Sequence, residues 1–535
     1  MKKIYFLLLI LIQGIVYGQT ELVFVFFKDK PNKAQFYANP STELSLKSIN
    51  RRENLNIPLN DSDAPIEINY IQNIKNLGFT VDDQSKWLNG VAVNATSTDI
   101  ETLKSQPYVL SVESFVKNKT AGKITHQSSK FDQLKKSSKT AFNYGNSADQ
   151  IDQVNLRQLH ALGYTGKGIT IAVMDTEFPT VNSGSAYARM RDNNQIKGTY
   201  NFRTKSEEVY ANHNSDHGSN CLGIIGGYID GTFVGSAPDA DFYLYTTEYA
   251  PQEIPEEELY WIQAAEQADR VGVDIISTSL GYANGFTDPR YDYSFADMTG
   301  SRTFIARGAQ YASDKGIIVL IAAGNEGDDV WKRVVSPADN PSVFTIGANT
   351  NSGTPSSFSS YGPNATGHQK PDASARGTAT YYAYNNGSSS GNGTSYSTPL
   401  AAGGVACLLQ ALGSTTDRES IKNRLRETAS LYPSYNEQIG NGILNFYNAY
   451  EQLTLSTSNK SLEKNIKIYP NPAKSYFKIT TTSKVLMVEI YDNLGKLITS
   501  LSPQDSYSLE RLNIGLYFIK IKTDKGTTIE KLLKH

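Results

Sequence analysis

Ser395 stands in Gly391-Asn392-Gly393-Thr394-Ser395-Tyr396-Ser397-Thr398-Pro399, a glycine-rich turn that runs into the small-residue segment Leu400-Ala401-Ala402-Gly403-Gly404-Val405-Ala406. A serine hydroxyl is a useful nucleophile only when a neighbouring base takes its proton and nearby donors stabilise the charge that develops. A helix starting at this turn offers part of the second requirement, because its first backbone N–H groups are unpaired and carry the positive end of the helix dipole. Gly-Thr-Ser ahead of a helix is also an ordinary cap. A chemical role therefore requires a base, an orienting acid and a second donor elsewhere in the chain.

Three segments offer them. Asp175 follows the run Gly168 to Met174, where a strand would deliver a carboxylate to the carboxyl edge of a sheet; a turn or cap aspartate is the bland alternative. His217 precedes Gly218-Ser219-Asn220-Cys221-Leu222-Gly223-Ile224-Ile225-Gly226-Gly227, whose glycines suit a helix lying close against another backbone. Asn325, in Ile321-Ala322-Ala323-Gly324-Asn325-Glu326-Gly327, follows an apolar run and is either a plain turn residue or an amide donor aimed into a cleft. The order Asp175, His217, Asn325, Ser395 supplies an acid, a base, a donor and a nucleophile. The α/β-hydrolase order is Ser, acid, His, and its nucleophile elbow wants Gly two residues after Ser, where this chain has Ser397. His213 and His217 are four apart, as zinc ligands on a helix are. A zincin would place Glu beside the first, where Asn214 stands, and no third ligand is evident, so no metal is expected.

The elements that must position these groups follow from composition and pattern. At 535 residues the chain is long enough for roughly three or four domains. With 39% hydrophobic and 19% charged residues it folds, and a net charge of -2 gives no electrostatic reason to expect nucleic acid. Lys2 and Lys3, the apolar run Ile4 to Ile12 and Val16-Tyr17-Gly18 read as a secretory signal peptide over 1–18, too short to span a bilayer. The two cysteines, Cys221 and Cys407, lie in small-residue or apolar helical segments and read as buried free thiols.

Residues 19–116 read as a small α/β unit. Its expected strands are Glu21 to Phe27, Trp87 to Ala95 and Val109 to Val116; Ile71, Ile74 and Leu77 form a helical stripe, and Thr98 with Glu101 a capping box. The polar stretch 117–147 reads as a linker. Over 148–455, continuous apolar runs at Ile169 to Met174, Phe242 to Tyr245, Val273 to Ser277, Ile317 to Ile321 and Val343 to Gly347 alternate with helices, which predicts an α/β fold: a parallel sheet with helices on both faces. Ligand chemistry then collects at the carboxyl ends of its strands. Short strands separated by turns over 465–535 predict a small β-sandwich.

Taken together, the chain resembles the subtilisin-like serine proteases, or subtilases. The resemblance rests on Ile171-Ala172-Val173-Met174-Asp175-Thr176, His217-Gly218, Ser279-Leu280-Gly281, Ala322-Ala323-Gly324-Asn325-Glu326-Gly327, Phe358-Ser359-Ser360-Tyr361-Gly362 and Gly393 to Pro399. It implies a secreted endopeptidase acting on protein or peptide substrates through an Asp175-His217-Ser395 triad, with Asn325 and the Ser395 N–H holding the oxyanion. Ser279, Leu280, Gly281, Ala322, Ala323 and Gly324 would line the substrate groove; Leu280 and the alanines would make it apolar, while Glu326 near its mouth would admit a basic side chain, and the two pull in different directions. The chain departs from the family pattern at Asn220, Glu177 and Tyr396, where a His, a Gly and a Met are common. The family's calcium sites cannot be matched residue by residue, so no metal is expected, and no cofactor. Residues 19–116 resemble a subtilase propeptide that acts as an intramolecular inhibitor; a permanent N-terminal binding domain is the alternative. The C-terminal region resembles the sorting domain of Bacteroidetes proteins exported by type IX secretion machinery, on Ile468-Tyr469-Pro470-Asn471-Pro472-Ala473, Ile490 to Lys496 and Gly515 to Lys520. A carbohydrate-binding sandwich would show exposed tryptophans, and this segment has none. A subtilase fold without activity, serving as a surface binding module, is the competing functional reading.

Overall fold

The computed structural model describes residues 19–117, 142–211, 215–460, 466–492, 497–524 and 526–535. The segment 1–18, most of 117–147 and His213 lie outside them. The predicted parallel sheet has seven strands in the order Ala373–Arg376, Phe344–Asn349, Ile318–Ala322, Ile275–Thr278, Thr170–Asp175, Asp241–Thr246, Ile196–Asn201, each parallel to its neighbour. Thr170–Asp175 and Ile318–Ala322 are buried along their whole length, as strands covered on both faces must be. The helices Glu256–Val271 and Phe304–Asp314 pack with Ala172, Met174, Ile276, Val319 and Ile321. A second pair, His217–Gly226 and Thr394–Leu412, packs together and on the sheet. Glu256–Val271 has three acids in its first turn and ends on Gly272 at φ 84, favourable charges at one end and a left-handed cap at the other.

The N-terminal region is a four-stranded antiparallel sheet in the order Asp83–Ser85, Gly90–Ala95, Glu21–Phe27, Val109–Ser114. Val23, Val25 and Phe27 face Ile71 and Ile74, while Leu22 and Phe24 face the Phe304 region. Both faces of Glu21–Phe27 are thus covered, and the strand is apolar from Leu22 onward. The expected capping box at Thr98 and Glu101 is corrected: the box is Thr96 with Asp99, opening Ser97–Lys104. Glu101 instead pairs with Lys104 at the surface, 2.9 Å away. The strand expected from Trp87 starts at Gly90, because the Trp87 N–H donates to Glu266 at 3.0 Å.

A helix that apolar periodicity did not predict, Leu46–Leu55, docks at the C-terminal end of Glu256–Val271. Its buried residues are Ser48, Arg51 and Arg52. Arg51 and Arg52 both bond Asp269, the latter at 2.6 Å. Arg52 also reaches Asp63 at 3.0 Å, and Lys315 meets Asp63 at 2.8 Å. All five groups are buried.

Residues 448–535 form a separate unit. Its two antiparallel sheets, ordered Lys467–Tyr469, Tyr476–Thr480, Tyr507–Ser508 and Leu497–Leu501, Val485–Tyr491, Gly515–Thr523, Gly526–Lys534, share a core that includes Ile468, Phe477, Ile490, Ile519 and Leu532.

Asp269→Ala leaves buried guanidinium groups without their counter-charge, a loss of about 3–5 kcal/mol. The full chain is expected to unfold at lower urea, followed by tryptophan fluorescence; an unchanged midpoint refutes the ionic contact.

Candidate active site

Asp175 is the last residue of its strand, at the carboxyl edge of the sheet. Its carboxylate is buried, and Oδ1 accepts from the Thr176 N–H at 2.8 Å and from His217 Nδ1 at 2.6 Å. Its Oδ2 has no hydrogen-bond partner among the described residues. His217 begins the helix His217–Gly226. That helix lies as close to its neighbours as its glycines suggest: a Cβ at Gly223 would stand 2.0 Å from the Ala383 carbonyl oxygen, and one at Gly218 2.7 Å from that of Glu177. Burial disfavours a charged His217 ring, but the Asp175 carboxylate and, after it, Cys221 together outweigh it and hold the imidazole pKa well above its ordinary value.

Ser395 is the second residue of Thr394–Leu412, with Gly393 at φ 151 before it. Pro399 lies inside this helix. Having no N–H, it leaves the Ser395 carbonyl without its helical donor. Ser279 Oγ takes that carbonyl at 2.9 Å and Cys221 Sγ at 3.4 Å. The Ser395 hydroxyl donates to the Ser279 carbonyl at 3.4 Å and makes no hydrogen bond to His217. Such bonds often tighten only with substrate in place. Asn325 Oδ1 accepts from the Thr394 N–H at 2.8 Å and its hydroxyl at 3.0 Å. Its exposed amide is thereby fixed, with Nδ2 as the donor left over.

Ser279, Leu280 and Gly281 follow Ile275–Thr278. A Cβ at Gly281 would stand 2.2 Å from Val335 Cγ2. Ala322 and Ala323 are buried at the end of Ile318–Ala322, and Gly324 turns the chain at φ 108. A Cβ at Gly324 would stand 2.2 Å from Glu326 Oε2, which accepts from Ser360 Oγ at 2.7 Å. Burial pushes the Glu326 carboxyl up to about 7.

Sequence reasoning misses Cys221 as a neighbour of the base. Cys221 follows His217 by one helical turn, and its Sγ lies 3.8 Å from Nδ1; the four-residue spacing was the available signal. Cys221 and Cys407 are both free and buried, as expected. Among the described residues, Asp175, His217 and Cys221 form one group able to hold a metal, and Glu248, Glu253 and Glu257 another. In the first, Asp175 already occupies Nδ1. In the second, burial pushes Glu257 up to about 10 and Glu248 to about 7.

Comparison with known proteins places the chain in a family. Residues 166–442 match the model of the Subtilase family, residues 22–133 that of the Peptidase S8 propeptide domain, Bacteroidota, and residues 467–535 that of the Secretion system C-terminal sorting domain. Subtilisin NAT of Bacillus subtilis subsp. natto is 28% identical over 381 residues, covering 70% of this chain and 83% of its own. Subtilisin of Bacillus pumilus is 28% identical over 304 residues, covering 55% of this chain and 95% of its own. The thermostable alkaline protease of Halalkalibacterium halodurans is 29% identical over 295 residues, covering 55% and 71%. Among the described residues no helix is long and apolar enough to cross a membrane.

Asp175→Asn removes the carboxylate and leaves burial opposed only by Cys221. The imidazole is then expected to titrate lower than in the wild type. Proton NMR of the ring resonances reads this directly; a pKa unchanged by the substitution refutes the assignment.

Proposed function

The chain belongs to the subtilase family and is a secreted serine-type endopeptidase with a sorting domain, and from that premise we propose that Ser395 is its acyl-forming nucleophile. The observation that carries the reading is the 2.6 Å contact between His217 Nδ1 and a buried carboxylate. Above the raised pKa of the ring, this contact fixes it with Nε2 as the free basic nitrogen. Rotation of the Ser395 hydroxyl away from Ser279 presents its proton to Nε2 as Oγ attacks the peptide carbonyl. His217 becomes imidazolium, stabilised by Asp175. The oxyanion takes hydrogen bonds from Asn325 Nδ2 and the Ser395 N–H. The tetrahedral adduct collapses, the C–N bond breaks, and His217 returns the proton to the departing amine. Water then repeats the sequence on the acyl ester.

Residues 19–116 serve as an intramolecular inhibitor. In support, Phe115 stacks on Phe304 and the Arg51–Arg52–Asp269 contacts hold the far end. Residues 465–535 address the protein to type IX secretion machinery, and protein or peptide chains are the substrates. Cleavage preference follows from Glu326, whose carboxyl lies against the Gly324 backbone.

A serine-directed fluorophosphonate is expected to label Ser395 of the matured chain, and Ser395→Ala to abolish labelling and proteolysis together. Labelling that persists in the variant sinks the assignment. Because Glu326 is neutral below about 7 and ionised above it, the ratio of kcat/KM for Lys over Leu before the scissile bond is expected to rise through that range. A partly exposed ion pair of up to about 1 kcal/mol makes the rise roughly two- to five-fold. Glu326→Gln should flatten it; a ratio that rises equally in the variant excludes Glu326.

A further inference from the structure

A cleft of about 640 Å³ lies where the N-terminal unit meets the parallel-sheet region, between the segment Asp82 to Lys86, the strands Ile196–Asn201 and Asp241–Thr246, and the helix Glu256–Val271. That is the size of a small-molecule site. Its floor is aromatic. Tyr243 and Tyr245 are two apart on one strand and so share a face, and Tyr200 is paired in register with Tyr245. Phe202 meets Tyr200 edge-on at 4.8 Å and Tyr245 at 5.5 Å. Tyr243 is in register with Gly198, where a Cβ would stand 2.9 Å from Tyr243 Cε1, so glycine leaves room for the ring across the neighbouring strand. Tyr200 and Tyr243 are half-buried. Tyr245 is buried, and its hydroxyl has no hydrogen-bond partner among the described residues. Burial holds that phenol far above its ordinary pKa, so it keeps a proton to donate.

The rim is polar, and its charges balance. Asp82, Glu207 and Glu266 stand against Lys86, Lys205 and Arg270. Three of these are engaged already: Lys86 with Glu43 at 3.6 Å, Lys205 with Asp83 at 3.2 Å, and Glu266 with the Ser85 hydroxyl at 2.6 Å. The amides of Gln84, Gln263 and Gln267 lie among them. An ion finds no surplus of opposite charge here, and a purely apolar molecule would cover the rim without bonding it. A neutral molecule with apolar C–H faces for the rings, and hydroxyls at its edge for the amides and the Tyr245 O–H, answers both surfaces.

We propose that this cleft binds a neutral oligosaccharide, one sugar ring lying on Tyr243 and one of its hydroxyls accepting from Tyr245. Asp82, Gln84 and Lys86 belong to the N-terminal unit and the other lining residues to the parallel-sheet region, so the bound sugar spans the contact between them. A ligand that binds the joined form better than the separated one stabilises the joined form by mass action. Resting on the reading of residues 19–116 as a removable inhibitor, sugar in this cleft holds the inhibitor in place.

Maltotriose, cellotriose and triacetylchitotriose are titrated calorimetrically into the full chain carrying Ser395→Ala, which keeps residues 19–116 attached. At least one is expected to bind saturably, with Kd of about 1 mM or tighter. Tyr243→Ala is expected to weaken it by about two- to ten-fold, the size of a ring contact. Gln267→Ala, on the helix side of the cleft, serves if the Tyr243 variant does not fold, and is expected to act in the same direction. Absence of saturable binding by all three sugars, or binding left unchanged by a folded variant, overturns the site. The matured wild-type chain, freed of residues 19–116, is expected to bind the same sugar several-fold more weakly; undiminished affinity there overturns the bridging of the contact. If the sugar binds but the wild type never sheds residues 19–116, the cleft stands and the inhibitor reading falls.

Discussion

A helix cannot complete its hydrogen-bond ladder across a proline, and the bond missing at Pro399 organises the centre of this site. The Ser395 carbonyl, four residues earlier, would be the acceptor. Interior proline costs a helix about 3 kcal/mol, and a buried carbonyl left bare would add to that. Ser279 Oγ and Cys221 Sγ meet it instead. Ser279 follows a central sheet strand, and Cys221 stands one turn beyond His217. A single freed acceptor thus ties the nucleophile's helix to the sheet edge and to the base's helix. It also gives Ser279 two contacts with one residue, because its own carbonyl accepts the Ser395 hydroxyl.

Acidic groups crowd the same edge. Glu248, Glu253 and Glu257 lie within reach of one another, and Glu248 is close enough to Asp175 for repulsion to raise its pKa after burial has done so. The Glu257 carboxyl accepts backbone N–H groups of Tyr249 and Ile254, but burial still dominates and drives it up to about 10. Proton uptake by the glutamates is the cheaper way to bury them than ionisation without a counter-charge. Asp175 differs in having an imidazole against it. The result is a low-dielectric edge where His217 faces one close counter-charge.

Much of this was legible in the sequence, for reasons that differ by residue. Strands buried on both faces show as unbroken apolar runs, so five of the central sheet's strands could be read. Ile196–Asn201 is mostly half-exposed and Ala373–Arg376 is short and made of small and charged residues; neither carries that signature. Two Thr-x-x-acid patterns overlap at Thr96 and Thr98, and local chemistry does not choose between them. Leu46–Leu55 was invisible because its buried face is Ser48, Arg51 and Arg52. Apolar periodicity finds nothing there, since the partner surface is Asp269. Pro399 was in plain view within the motif, but what replaces its missing donor depends on residues far away in the chain. Tyr396 reads in the sequence only as a departure from the family pattern; its ring stacks on Tyr382 at 5.4 Å, and Tyr382 is brought there by pairing of Thr380–Tyr384 with Gly387–Gly391.

The contact between the N-terminal unit and the parallel-sheet region divides its labour between two kinds of force. Leu22, Phe24, Trp87 and Phe115 join the core around Phe304, and burial of such side chains contributes about 1.5–3 kcal/mol each. The charges of Arg51, Arg52, Asp63, Asp269 and Lys315 are buried as well, and a desolvated ion cluster adds little net stability over apolar groups of the same shape. Attraction therefore comes from the aromatic face. What the ions add is register: a slip of the Leu46–Leu55 helix by one residue would strand a guanidinium in a dry interface, a loss large enough to exclude the misplaced state. The strand Glu21–Phe27 gains from this directly, because its second apolar face is covered only when the helix is seated correctly.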